Sequence, residues 1–364
     1  MKKGIKIIGL MLITNMVFAQ ESELPAASPA TTFGGSADAY YKYDFSGVSN
    51  GYTSFTNTDN SFELGMISLE GSHKWKKASV FVDLGFGSRA KEFTYNDNQY
   101  SFMIKQLIFA YDVSDSFKVT AGTFGTHIGY ELLDAVDNKN YSMSYAFTYG
   151  PFFNTGIKAQ YTSGKFSFMA GITNPTDFKS AMETGTNAKT FIGQVAYAGE
   201  TGSAYFNVSS GASNGSPIRN GDGEVVAPSD EDKTQFDFVA SKKLGDKFAI
   251  GFNGTYAIAN NNVDSSLDGE WFSMVIYPTY TFSPTLLLAC RLEYVDSKEA
   301  AASIGALAGS SIIGNTLSLN YKVGNLTIIP EFRIDSALND IFEDNDGVFK
   351  GVNTYALAAV TYTF

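Results

Sequence analysis

The sequence predicts an all-β protein, a transmembrane antiparallel up-and-down β-barrel of about 16 strands with short periplasmic turns and long external loops. Three observations predict it. The chain opens like an export signal, its body is a series of alternating segments whose links are short and long in turn, and it ends on "TYALAAVTYTF", with nothing after the last aromatic. In that ending Ala356, Ala358, Val360, Tyr362 and Phe364 share one face of a period-two pattern, opposite Tyr355, Leu357, Ala359, Thr361 and Thr363. A strand that uses the terminal residue itself suggests an end tied into a closed sheet, where no edge is left unpaired.

The opening "MKKGIKIIGLMLITNMVFAQ" sets Lys2, Lys3 and Lys6 before an apolar run from Ile7 to Phe18, with Val17, Phe18 and Ala19 at the cleavage positions. Residues 1–19 are therefore expected to be a signal peptide cut near Ala19. The run is about a dozen residues, short of the roughly 20 that a spanning helix needs. Gln20 follows rather than a cysteine, so no lipid-linked Cys is expected. Residues 20–33 read as a flexible periplasmic leader, too short for a separate plug domain, and 34–364 as the barrel domain.

The formal charge of −11 becomes more acidic once the signal is removed, because that takes away three lysines and no acid. Nucleic acid is an unsuitable partner for such a chain. With the single cysteine Cys290 no intramolecular disulfide can form. The chain holds 30 Phe and 21 Tyr against 9 Pro, and no later run is long and apolar enough for a spanning helix.

Strands are expected, in order, near 36–46, 61–72, 77–88, 101–113, 117–124, 152–162, 165–174, 189–198, 202–211, 234–243, 247–258, 270–282, 285–296, 311–323, 325–335 and 352–364. Links such as "HKWKK", "VSDS", "SG", "GET", "LGD", "SP" and "VGN" alternate with long polar ones such as "GVSNGYTSFTNTDN" and "SNGSPIRNGDGEVVAPSDEDK". That asymmetry is the pattern of an outer-membrane barrel. The pleat then assigns the faces. Phe248, Ile250, Phe252, Tyr256 and Ile258 oppose Lys247, Asn253 and Thr255. Leu286, Leu288, Cys290, Leu292 and Tyr294 oppose Arg291 and Glu293, and Leu317, Leu319 and Tyr321 oppose Ser318, Asn320 and Lys322. Leu326, Ile328, Phe332 and Ile334 oppose Thr327, Glu331, Arg333 and Asp335. A soluble sandwich would turn the apolar face inward; the signal, the link alternation and the terminal aromatic favour apolar side chains toward lipid and charged ones toward water.

On that phase Lys42, Asp83, Lys158, Arg291, Glu293, Lys322, Glu331 and Arg333 are expected to line a pore. There they either set a field that orders permeating ions or brace the wall as salt bridges. The link of residues 125–151, "GTHIGYELLDAVDNKNYSMSYAFTYGP", holds Ile128, Tyr130, Leu132, Leu133, Val136, Tyr141, Tyr145 and Phe147. So many apolar residues need something to pack against, so this third external loop is expected to fold into the barrel as its constriction, with a helical turn near Glu131 to Asp137. Glu131, Asp134 and Asp137 would then face basic wall residues such as Lys158 or Lys42. The alternative is an external loop packed on its neighbours or on a partner subunit.

The stretches "GSADAYYKYDFSG", "NYSMSYAFTYGPFFNTGIKAQY" and "GITNPTDFKSAM" resemble the OmpL-like β-barrel porin family found mainly in Bacteroidota, over nearly the whole exported chain. The resemblance implies a Gram-negative outer-membrane barrel and no particular substrate. Tyr362 and Phe364 likewise resemble the aromatic-x-aromatic signal that such barrels present to the barrel assembly machinery; an anchor in the aromatic girdle is the simpler role.

Catalysis finds little support. Hydrolysis needs a His-supported nucleophile or an activated water. The two histidines are His73, placed in a predicted turn, and His127, in the third loop near Thr126 and Glu131, where a base role stays open. Two His and one Cys far apart make no zinc set. "EDNDG" at 343–347 lacks the later Glu of a calcium loop, and no P-loop or dinucleotide fingerprint is present. No cofactor or metal is expected. The partners expected are outer-membrane lipid, the assembly machinery and small hydrophilic solutes, with a homotrimer left open. At about 16 strands a barrel keeps an aqueous lumen, so the expected function is a water-filled channel for passive diffusion of small hydrophilic solutes or ions. The competing functions are a non-channel barrel whose external loops bind a partner or surface and, more distantly, an outer-membrane hydrolase.

Overall fold

The structure, a computed structural model, describes residues 30–96, 103–180, 188–213, 218–219, 225–227, 231–262, 265–297, 307 and 310–364. The expected signal peptide and residues 20–29 of the expected leader lie outside them. The chain forms one closed barrel of sixteen antiparallel strands, each paired with the next in sequence and the last with the first.

The strands are β1 (Ala30–Asp44), β2 (Ser61–Trp75), β3 (Ala78–Phe86), β4 (Ile104–Ser114), β5 (Phe117–Gly125), β6 (Phe153–Ser163), β7 (Phe166–Thr173) and β8 (Thr190–Ala198). They continue as β9 (Gly202–Ser213), β10 (Glu231–Lys243), β11 (Phe248–Asn261), β12 (Gly269–Ser283), β13 (Leu286–Asp296), β14 (Ser311–Val323), β15 (Leu326–Ala337) and β16 (Val352–Thr363). Short turns gather at one end and long loops at the other. Two small hairpins, Ile218–Arg219 with Val225–Ala227 and Phe342–Glu343 with Phe349–Lys350, decorate the long loops.

Closure is made by β1 and β16, in register from Ser36 opposite Thr363 to Asp44 opposite Tyr355. The last residue takes part: Gly35 N–H donates to the Phe364 carbonyl (3.1 Å) and Phe364 N–H to the Gly35 carbonyl (3.0 Å). A Cβ on Gly35 would stand 2.3 Å from the Ser68 carbonyl oxygen and 2.7 Å from the Phe364 ring, so only glycine admits the terminal aromatic there.

Side chains alternate as the pleat requires. On β13 to β15 the outward Leu292, Leu317 and Phe332 are 46%, 47% and 42% exposed, while the inward Arg291 and Arg333 are fully buried. This is inverted relative to a soluble protein. Charge lies inside and apolar area outside, stable only where lipid covers the outer wall.

Strand ends shift by a few residues from the sequence expectation, and two of these shifts move residues out of their expected place. β1 begins at Ala30, so residues 30–33 belong to the barrel and not to a leader; their pairing with β2, from Ala30 opposite Lys74 to Phe33 opposite Gly71, extends the sheet past the alternating pattern. β2 likewise runs on to Trp75, which places His73 in a strand rather than in a turn, its Nδ1 2.8 Å from Thr31 Oγ1.

Candidate functional site

The loop joining β5 to β6, residues 126–152, passes inside the barrel. At its neck Thr126 N–H donates to the Phe152 carbonyl (3.0 Å). Within it lie a 3-10 turn at Ala135–Asp137 and one short helix, α1 (Tyr145–Thr148), capped by Ser144, whose hydroxyl accepts from Phe147 N–H. A backbone removed from water must find its hydrogen-bond partners in protein, and here the barrel wall supplies them.

The N-terminal limb meets β10 to β12. Gly129 N–H donates to Asp237 Oδ2 (3.0 Å) and Tyr130 N–H to Asn253 Oδ1 (3.2 Å). The Tyr130 ring stacks on Tyr277 at 4.2 Å. It lies over Gly251, where a Cβ would come within 2.3 Å of the ring. The C-terminal limb meets β13 to β15. Glu331 accepts from the N–H groups of Tyr141 (2.7 Å) and Ser142 (3.1 Å), and Glu293 from Tyr145 N–H (2.8 Å). Arg333 Nη1 donates to the Met143 carbonyl (2.7 Å), and Asn320 Nδ2 to that of Lys139 (2.8 Å).

Ion pairs fix the tip. Arg291 Nη1 donates to Glu131 Oε1 (2.8 Å) and also to the Ser142 carbonyl, while its Nε contacts Glu293 (3.2 Å). Arg333 lies 3.0 Å from Glu293 and 2.8 Å from Asp335. On the far wall Lys105 Nζ lies 2.6 Å from Asp134 and 3.0 Å from Asp83, and Ser68 donates to Asp134 (3.0 Å). Asp38 accepts from the Tyr141 hydroxyl (2.5 Å). Buried charge is tolerable only when paired in this way. Glu70, Asp83 and Asp134 stand close enough together to suggest a metal site, but the Lys105 ammonium already supplies their positive charge.

Aromatic packing covers the loop. Phe55 from the first long loop, Phe93 from the second, and Met143, Phe147, Phe152 and Phe153 form one cluster. Tyr145 joins Trp271, Val295, Ile312 and Phe342 in another. A cleft remains between Tyr130, Leu132, Asp137, Asn138, Lys139 and Tyr277. Burial, and then the charge of Asp134, pushes the Asp137 carboxyl up to about 6; burial lowers the neighbouring Lys139. Burial also holds the His127 imidazole down to about 4, with Nε2 2.9 Å from the Val208 carbonyl oxygen.

The sequence-derived residues fall as follows. Lys42, Asp83, Arg291, Glu293, Glu331 and Arg333 are buried on the inner face. Lys158 is half-buried there, and Lys322 is exposed near a short-turn end. The expected loop partners were wrong. Lys42 pairs with Asp44 (3.4 Å) and sits over the Tyr355 ring, and Lys158 sits over the Phe124 ring (4.1 Å). Glu131 and Asp134 instead take Arg291 and Lys105. Asp137 lies on the cleft near Lys139. Asp344, in the "EDNDG" stretch, accepts from Asp346 and Val348 N–H and pairs with Lys350 (2.5 Å), a local turn. Tyr362 and Phe364 face outward, 44% and 57% exposed.

Lys105 escaped the sequence because its phase is wrong. Leu107, Phe109 and Tyr111 point outward, which would send Lys105 outward too. The register between β3 and β4 slips between Asp83 and Leu84, pairing them with Gln106 and Ile104, and the extra residue Lys105 turns into the lumen. Asp38, by contrast, shares the phase of Lys42 and was open to the same parity argument.

A family model described as "Putative beta-barrel porin-2, OmpL-like" matches residues 30–364. The chain belongs to that family. It is an outer-membrane porin of a Gram-negative bacterium, and the lipid-facing apolar wall is what that location requires. A comparison with curated proteins gives no match. Among solved structures the porin is similar to OmpT of Vibrio cholerae in its trimer form, at 12% identity and a TM-score of 0.62, covering 93% of this chain and 100% of that one. It is similar to the outer membrane channel DcaP of Acinetobacter baumannii, at 13% identity and 0.61, covering 93% and 98%. A third likeness is to an anion-selective porin from Comamonas acidovorans, at 13% and 0.60, covering 93% and 100%. At such identities these likenesses carry the barrel fold alone.

Proposed function

We propose that this porin passes small hydrophilic solutes or ions by passive diffusion and that loop 126–152 is its constriction. The observation that carries this is the placement of Glu131 and Asp134 between opposite walls of one lumen, on Arg291 and Lys105. A loop so anchored narrows the lumen and sets a size cutoff. Of the residues expected to line a pore, Lys158 and Lys322 are the proposed lining; Lys42, Asp83, Arg291, Glu293, Glu331 and Arg333, buried and engaged by counter-charges or by the loop, are proposed to brace the wall, and Glu131, Asp134 and Asp137 are the proposed constriction residues. No catalytic role is assigned. His127, the histidine nearest the loop's acids in sequence, is buried against the Val208 carbonyl.

The remaining elements of the proposal rest on sequence and, for the assembly, on the likeness in fold. Residues 1–19 act as a cleaved signal, Tyr362 and Phe364 address the assembly machinery, and a homotrimer is the proposed assembly, by likeness to OmpT. A planar-bilayer recording of purified protein tests the function. Stable stepwise conductance supports it. Full burial of Arg291 and Arg333 beneath the loop favours one competing function, a plugged barrel whose outer loops bind a partner, and electrically silent insertion would establish that reading instead.

A further inference from the structure

The inner wall is electrostatically lopsided. Five consecutive strands, β5 to β9, contain no Asp or Glu at all. The acids that face the lumen, such as Asp38, Asp83, Asp237, Glu293 and Glu331, stand on other strands, and each of these is engaged by the loop or by a cation. The loop's side-chain anchors likewise fall on β1, β2, β4 and β10 to β15. Its main hold on the acid-free sector is His127 against the Val208 carbonyl.

Within that sector stands Lys158. It pairs in register with Thr120 on one side and Gly171 on the other, so β7 places no side chain directly opposite it. Its ammonium lies 4.1 Å from the Phe124 ring centroid, and among the described residues no carboxylate pairs with it. Lys118 lies one diagonal away, opposite Gln160, with its ammonium 3.7 Å from Asp112. A half-buried ammonium held on an aromatic face, with no carboxylate paired to it, contributes positive potential to the inner face of this sector.

We propose that solutes pass along the β5–β9 sector and that Lys158 makes this acidic protein prefer anions, acting as a station for small oxyanions and carboxylates. The proposal rests on the channel function proposed above and names its specificity-determining residue. The net charge of −11 does not oppose it, since buried lumenal acids paired with arginine or lysine present little field to a permeating ion.

The test is the reversal potential of the purified porin in a planar bilayer under a potassium chloride gradient. Wild type is expected to pass chloride in preference to potassium. Lys158→Gln should lower the permeability ratio by about fivefold, the Boltzmann factor for one unit charge at ~4 Å in water, and Lys158→Glu should invert it, both with conductance retained. Gln160→Lys, which adds a cation to the same inner face, should raise it. If the Lys158 variants fail to fold, the wild-type ratio and the Gln160→Lys shift decide. Retained conductance with a potassium-preferring wild type, or with a ratio unmoved by Lys158→Gln, overturns the proposal and leaves the channel standing. Absence of any conductance in wild type overturns both.

Discussion

Glu131 and Arg291, 160 residues apart in sequence, meet at 2.8 Å inside the barrel with both side chains almost wholly buried. One carboxylate oxygen of Glu131 accepts from the guanidinium and the other from the backbone and hydroxyl of Ser144, so a single side chain joins the wall to both limbs of the loop. Arg291→Met should cost about 3–5 kcal/mol, because Glu131 and Glu293 are left buried without their cation. The loss is expected as a lowered temperature for heat-induced unfolding on a gel, with part recovered in Arg291→Met/Glu131→Gln.

Lys105 is the second pin, and its variants separate charge from packing. In Lys105→Met the carboxylates of Asp83 and Asp134 and the nearby Glu70 are left facing one another. That variant should loosen the loop and make it more sensitive to protease; Asp134→Asn added to it should restore resistance. If the double variant is no better than the single one, the repulsion invoked here is absent.

The fold was legible in the sequence because each strand repeats the same period-two signal and the barrel needs only pairing between neighbours. The loop's inward path was legible too, from the surplus of apolar residues between Ile128 and Phe147. Its partners were not. A slipped register at β3–β4 reverses the face of Lys105, and the choice between Lys158 and Arg291 for Glu131 depends on how the loop crosses the lumen, which no local pattern encodes. Much of the docking is also backbone to side chain, as with Glu331 on Tyr141 and Ser142, and the sequence of the loop carries no trace of it.

Acid should act on the loop in two opposed ways. The His127 imidazole falls from 6.5 to about 4 on burial, so its contribution is full above 6.5 and is lost as pH falls toward 4; by pH 5 this amounts to about 2 kcal/mol. Asp137 rises from 3.8 to about 6, so its contribution is full below 3.8 and is lost as pH rises toward 6. Unfolding compared at pH 5 and pH 7.5 should show wild type losing stability relative to His127→Gln at the lower pH. Relative to Asp137→Asn, wild type should lose stability at the higher pH.

The C-terminal closure predicts an assembly defect. Removing Phe364 deletes the pair of hydrogen bonds with Gly35 and the ring that packs on it. Less folded barrel in the outer membrane and more unfolded chain in the periplasm are the expected outcomes, read by heat-modifiable gel mobility in membrane fractions. Normal yield would mean that β1 and β16 close without it.

Single-channel conductance of wild type against a variant lacking residues 131–140 tests the constriction most directly. That deletion removes Glu131 and Asp134, and with them both pins, while keeping the β5 and β6 ends. Stepwise conductance in wild type and clearly larger steps in the correctly folded deletion are predicted. Steps of unchanged size in a folded deletion variant would contradict the assignment of this loop as the constriction.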